Sequence, residues 1–311
     1  MRLAGGLAGA LIAIAVPAAA QGPGAEGPII LHTHSSVREA GLNGAGAALV
    51  GDAGAVFHNP AGLATIGHIG LEGGYFQAPF DAYQTTAAFA WRLRQFHFGG
   101  GIKYFDFGAV DEIIPDVTTG GVTGTPTGVQ VDASEFLAVG TLVYRFGLLA
   151  FGGSAKYVRQ RVVDTDATGL SGDFGVAVAF FDIMAIGFAV QNLSGNWKGD
   201  SPLEIPRLTR TGFTMNYVDP QETFRLMSTV ELQWPEGRGT RLVLGVEGGI
   251  VVAGVGILGR TAYGSRREGS DRSAFTFGLS LGLSRLMVDY AYEPSDLLGD
   301  ASQRIGVRLT L

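Results

Sequence analysis

From about His68 to Leu311 the chain alternates apolar and polar residues with a period of two. Clusters of Gly, Pro, Asp, Asn and Ser break the alternation every ~15 to 20 residues. In the stretch 223–234, Phe224, Leu226, Val230, Leu232 and Trp234 share one face. Arg225, Thr229, Glu231 and Gln233 share the other. Leu286, Val288, Tyr290 and Tyr292 oppose Met287, Asp289 and Glu293. Ile305, Val307, Leu309 and Leu311 oppose Arg304, Arg308 and Thr310. The pattern predicts fourteen strands, near 69–80, 83–94, 96–106, 134–146, 148–162, 169–181, 183–192, 206–218, 223–234, 239–249, 251–263, 272–282, 284–293 and 302–311.

Alternation alone fits a soluble sandwich as well as a barrel, but the connections discriminate. If the first strand rises from the periplasm, the periplasmic connections are all short, at Arg94-Gln95, Phe146-Gly147, Phe181-Asp182, Asp219-Pro220, Gly249-Ile250 and Leu283-Ser284. Every long one falls on the other side: Phe107 to Ala133, Leu193 to Ile205, Gly264 to Asp271 and Pro294 to Ala301. A sandwich has no reason to sort its loops, whereas an outer-membrane barrel does. The expected fold is therefore all-β, a fourteen-stranded antiparallel transmembrane β-barrel over 68–311, with apolar residues toward lipid. Polar residues, among them Arg225, Glu231, Asp289 and Arg308, line the lumen. An Arg or Glu turned to the bilayer midplane would cost about 2–4 kcal/mol, which fixes the facing. Trp91 and Trp234 fall near opposite strand ends, where an aromatic girdle is expected.

Composition agrees. Charged residues make up 16% of the 311 residues and hydrophobic ones 46%, and Gly occurs 49 times. No stretch beyond the first residues supplies the ~20 consecutive apolar positions of a spanning helix. A closed barrel is the remaining way to cross a bilayer, since every backbone N–H and C=O must be paired there. The net charge of −6 argues against a nucleic-acid partner. At the start, Arg2, the apolar run Leu3 to Val16 and Ala18-Ala19-Ala20 form a secretory signal over 1–20, cleaved near Ala20. Export without any Cys leaves no disulfide and no lipid anchor on cysteine.

Between signal and barrel, residues 21–67 form a distinct unit. Gly41 to Ala64, GLNGAGAALVGDAGAVFHNPAGLA, is small-residue-rich and almost uncharged. It is too Gly-rich for a good helix and too irregular for a strand. It is expected to form a hatch or plug in the barrel mouth. Pro60 keeps Asn59 out of the helical region, and Asn59 can bond nearby backbone. Ala61 and Gly62 allow close approach to the wall. Gly51-Asp52 places a carboxylate among small residues, where it meets backbone N–H groups or an inward Arg such as Arg308 or Arg225.

Other motifs carry no chemistry. Gly254 to Gly259, GVGILG, matches a dinucleotide fingerprint, but Arg260 to Tyr263 continue as strand where a helix is required. Gly278 to Gly282, GLSLG, matches a nucleophile elbow inside a plain strand. His32 and His34 lack further metal ligands nearby, and Asp111, Glu112, Asp116, Arg266 and Arg267 read as solvated loop charge. No catalytic residue set, metal site or cofactor is expected.

The stretch GDAGAVFHNPAGLA resembles the N-terminal signature of the PorV/PorQ group of outer-membrane proteins, related to FadL-type fatty-acid transporters. FAVQNLSG (Phe188 to Gly195), PLEIPRLTRTGFTMNY (Pro202 to Tyr217) and the closing VDYAYEPSDLLGDASQRIGVRLTL (Val288 to Leu311) follow the group's order. The resemblance implies an outer-membrane barrel with a hatch to which Gly51, Asp52, Asn59, Pro60, Ala61 and Gly62 belong. It further implies a type IX-like secretion component that binds or hands over exported proteins with C-terminal signal domains, beside other secretion subunits. The alternative is a FadL-like passage for hydrophobic small molecules such as fatty acids. Outer-membrane lipid and the assembly machinery are partners in either case. The chain departs from the group in ending on Leu311, where an aromatic residue is usual.

Overall fold

The computed structural model describes residues 27–78, 81–108, 110–116, 118, 123–163, 165–180, 183–193, 196–199, 205–219, 221, 223–265, 273–294 and 301–311. The expected signal at 1–20, Arg266 and Arg267 lie outside the described residues, and so do the side chains of Asp111 and Glu112.

Two short helices open the described chain, α1 (Ile29–His32) and α2 (Val37–Gly41), followed by 3-10 turns at Ala53–Phe57 and Pro60–Thr65. The strands are β1 (Ile69–Gln77), β2 (Tyr83–Leu93), β3 (Phe96–Asp106), β4 (Val110–Pro115), β5 (Gly124–Val131), β6 (Ala133–Phe146), β7 (Leu149–Val162), β8 (Thr165–Phe180), β9 (Met184–Gln191), β10 (Asn196–Gly199), β11 (Leu208–Val218), β12 (Phe224–Pro235), β13 (Arg241–Val252), β14 (Val255–Gly264), β15 (Phe275–Leu283), β16 (Leu286–Glu293) and β17 (Ser302–Thr310). Fourteen of them close into an antiparallel barrel in chain order, and β17 pairs with β1, Leu309 opposite Leu71 and Ile305 opposite Tyr75. Closure leaves no free sheet edge around the wall, the condition for crossing lipid.

Three strands go beyond the expected set. β4 and β5 form a separate hairpin inside the long Phe107 to Ala133 connection. β10 lies in the Leu193 to Ile205 connection and pairs with the end of β8. These segments are poor in alternating apolar residues, so their pairing leaves no period-two trace in the sequence.

Alternation becomes facing. Phe224, Leu226, Val230, Leu279, Leu281, Val288, Ile305 and Val307 are exposed on the outer wall, while Met227, Thr229, Glu231, Asp289 and Arg304 are buried inside. Aromatic rings cluster at both rims. Tyr75, Tyr83 and Tyr104 stack successively at one end, where Tyr263 also packs on Phe275 at 5.3 Å. Trp91–Phe98, Phe96–Tyr144 and Tyr217–Phe224 pair at the other. An apolar band between two aromatic girdles is the surface of a lipid-spanning barrel. At the second end the connections are tight: Arg94, Ala253 and Ser284 each begin a two-residue turn with positive φ, the geometry that matches strand twist in a hairpin.

Candidate functional site

The segment 29–66 lies within the barrel and runs its height, rather than sitting only in the mouth. At the long-loop end, Glu135 of β6 accepts from Ile29 N and Ile30 N, and Lys103 of β3 donates to Ile30 O and Thr33 O. Near the same rim Arg241 donates to Asn43 O. At the tight-turn end, His97 Nδ1 lies 2.8 Å from Leu63 O, and Arg145 donates to Ala64 O at 3.0 Å. The segment then leaves the lumen and becomes β1. Wall groups at every level supply partners for its irregular backbone, which is why it fills the lumen.

The segment meets two unlike halves of the wall. Toward β12–β17 the contact is ionic. Asp52 accepts from Arg38 at 2.6 Å and from Arg308 at 2.7 Å. Arg308 pairs with Asp289 at 2.6 Å, Asp289 with Arg260 at 3.0 Å, Arg260 with Glu247 at 3.2 Å, and Glu247 with Arg38 at 2.9 Å. Six side chains of alternating charge thus form a closed ring, two from the inner segment and four from β13, β14, β16 and β17. Burial alone would raise the pKa of Asp52, but the adjacent Arg308 and Arg38 guanidiniums outweigh it and hold the carboxyl below its ordinary range. Beside the ring, Glu231 accepts from Gly46 N and Ala47 N at 2.7 and 2.6 Å and from Arg210 at 2.7 Å.

Toward β2, β3, β6 and β7 an apolar patch lies between the polar contacts of Lys103 and Glu135 at one rim and those of His97 and Arg145 at the other. Val56, Ala61 and Leu63 are fully buried in one cluster with Ala88, Ala90, Val143 and Ala150 of the wall. Here the wall is thin. A Cβ at Gly99 would lie 2.5 Å from Leu63 Cδ1 and 2.7 Å from Val56 Cγ1, and one at Gly101 would strike the Phe57 ring. Outside the same stretch, Gly73 of β1 and Ala87 of β2 face outward in register. They floor an apolar depression of about 620 Å³ walled by Leu71, Phe89, Ile102, Val307 and Leu309. The ladder between β2 and β3 is unbroken, with Ala90 opposite Gly99 and Ala88 opposite Gly101.

The hatch residues divide by task. Asn59 caps the second 3-10 turn by accepting from Ala61 N at 3.1 Å, with φ −148° held out of the helical region by Pro60. Pro60 and Ala61 pack onto Gly152 of β7. Gly62 packs within the inner segment, against Leu49 O, and not on the wall; Gly51, with φ +92°, donates to Gly62 O. Of the lumen residues, Arg308, Asp289 and Asp52 come together and Glu231 joins the neighbouring cluster. Arg225 is not a member of the ring but lies near it, exposed toward the tight-turn end and within range of the Arg38 and Glu247 charges. Sequence reasoning missed Arg38, Glu247 and Arg260. Glu247 and Arg260 carry a readable signal: each is a charge on the inward parity of an otherwise apolar strand. His34 pairs with Glu293 at 3.1 Å. GVGILG spans a turn and the start of β14, and GLSLG lies in β15, with strand where either motif needs a helix.

No family model matches the sequence, and no curated protein matches it. Solved structures do. The Ralstonia pickettii toluene transporter TbuX superposes with a TM-score of 0.59 at 14% identity, covering 89% of this chain and 98% of that one. A Pseudomonas aeruginosa FadL homologue gives 0.57 at 13%, covering 92% and 98%. The Pseudomonas putida toluene transporter TodX gives 0.57 at 11%, covering 88% and 96%. The fold is that of FadL-type outer-membrane barrels, and two of these three neighbours are toluene transporters.

Proposed function

We propose that this protein is a non-enzymatic channel of the bacterial outer membrane, exported by cleavage near Ala20, that passes hydrophobic small molecules and is gated by the segment 29–66. The observation that carries this reading is the thin wall at Gly99–Gly101, sealed from within by Val56, Phe57 and Leu63 and dented by an apolar depression outside. An apolar solute released from the lumen at that level meets Val56, Phe57 and Leu63, with the Lys103 ammonium above the Phe57 ring tied to Ile30 O and Thr33 O. The ionic half of the lumen offers no such path. The fold shared with two toluene transporters supports the same substrate class.

A disulfide lock tests it. The chain has no cysteine, and Val56 Cγ1 lies 2.7 Å from where a Gly99 Cβ would stand. V56C/G99C is therefore placed to bridge. In cells lacking their own hydrophobic-compound channel, the reduced variant is expected to support toluene and dodecanoate uptake, and the oxidised one to lose it. Equal uptake in both states would sink the gating reading; no uptake even by the unsubstituted protein would sink the channel.

A second reading retains the PorV/PorQ resemblance. Its support is the β4–β5 hairpin beyond the rim, which exposes Ile113, Ile114 and Val129 by 56%, 63% and 55%. Such an apolar loop surface suits a protein partner. Mass spectrometry of what co-purifies with the gently extracted barrel separates the two. Polypeptides sharing a C-terminal β-domain, or secretion subunits, favour this reading; near-stoichiometric apolar small molecules without protein favour the channel.

A further inference from the structure

The depression on the outer wall runs from mid-height of the barrel down toward the tight-turn rim. Its floor is the in-register pair Gly73 and Ala87, and its lower walls are Leu71, Phe89, Leu286 and Leu309. Leu71 stands two positions from the start of β1, and Leu286 is the first residue of β16. Its lower end therefore opens toward the tight-turn rim, the inner-leaflet side when long loops face outward. Its volume, about 620 Å³, is that of a ligand cleft. Its lining is almost wholly apolar.

The turns that bracket it are basic. Arg92 stands near the end of β2, Arg94 in the β2–β3 turn and Arg285 in the β15–β16 turn, all three exposed. Arg92 Nε donates to Arg94 O at 3.2 Å, which keeps that guanidinium at the rim. Neither turn carries a carboxylate side chain. Across the barrel the β11–β12 turn carries Asp219 instead, accepting from Phe224 N. Arg94 and Arg285 thus set positive charge at the rim on either side of the dented part of the wall.

We propose that this face is a binding site for an anionic phospholipid of the inner leaflet. One acyl chain lies in the depression over Gly73 and Ala87, and the phosphate sits at the level of Arg94 and Arg285. Guanidinium groups at an interface attract anionic headgroups, and a chain laid into a dent in the wall gains contacts that a smooth wall does not give it. The proposal rests on the barrel spanning the membrane and not on what it transports.

The test is native mass spectrometry of the full barrel, released from nanodiscs holding equal phosphatidylglycerol and phosphatidylethanolamine. The expected result is one retained lipid per barrel, predominantly phosphatidylglycerol. R94Q and R285Q each reduce that preference about fivefold. A87F, which fills the floor from the lipid side, removes the retained lipid while heat-modifiable migration stays that of the folded barrel. Equal retention of both lipids, unchanged preference in R94Q/R285Q, retention of fatty acid in place of phospholipid, or a second copy cross-linked across this face would each overturn it. Uptake by the Val56–Gly99 lock is a separate readout, so the channel can fail while the lipid site stands.

Discussion

At the scale of single residues, the six-charge ring holds the inner segment in place. Removing one partner of a buried pair leaves a charge uncompensated, at a cost of about 3–5 kcal/mol. D52N takes one of two carboxylate partners from each of Arg38 and Arg308, which keep Glu247 and Asp289, and leaves the ring one positive charge in excess, so protease sensitivity at residues 41–64 is expected to rise while the barrel stays folded. R308M should restore part of the loss in D52N/R308M, because it removes the excess positive charge and leaves two guanidiniums facing two carboxylates; strictly additive effects would mean the two do not interact. The pKa of Asp52 is lowered in the folded protein, so its contribution is complete above the unfolded value of about 3.9 and fades only below it. The loss of protease resistance caused by D52N is expected to be the same at pH 5 and pH 7. Asp52 and Arg308 were legible as a candidate pair, one charge among small residues and one on an inward strand face. The other four members were not assembled by sequence, because Arg38 and Glu247 meet across 209 positions and parity gives a residue's face but not its neighbour.

At the scale of elements, small residues in the strands decide how closely the inner segment approaches. Ala47 O crosses β9 at Gly187, where no Cβ fits against it. G187V is expected to expel the segment locally and to expose residues 44–50 to proteolysis, with the strand pairing of β8, β9 and β11 retained. Hydrogen exchange of the Glu231-bound Gly46 and Ala47 amides reads this directly, and unchanged protection would refute the close-approach argument. Strand positions were legible within a few residues because each strand has a lipid face and a lumen face. The β4–β5 hairpin and β10 were not, since they stand in the long connections, where no lipid face enforces alternation.

At the scale of the molecule, the inner segment fills the lumen, with a ring of charges on one half and an apolar patch on the other. Planar-bilayer conductance of the intact barrel is expected to be low. Deletion of 41–64, bridged by a flexible linker, should raise it severalfold and leave the wall intact, since the wall's hydrogen bonds are strand to strand. Low conductance in the deleted form would show that the wall itself closes. The sequence alone determined the antiparallel barrel, its strand number and the sorting of its loops, because a lipid face imposes period two and closure imposes an even meander. Only the tertiary structure decided that the inner segment runs the full height, that its charges close a ring with four strands, and that the wall thins on both sides of β2 and β3. Those features depend on which inward residues face each other across the lumen, and no local pattern along the chain records that.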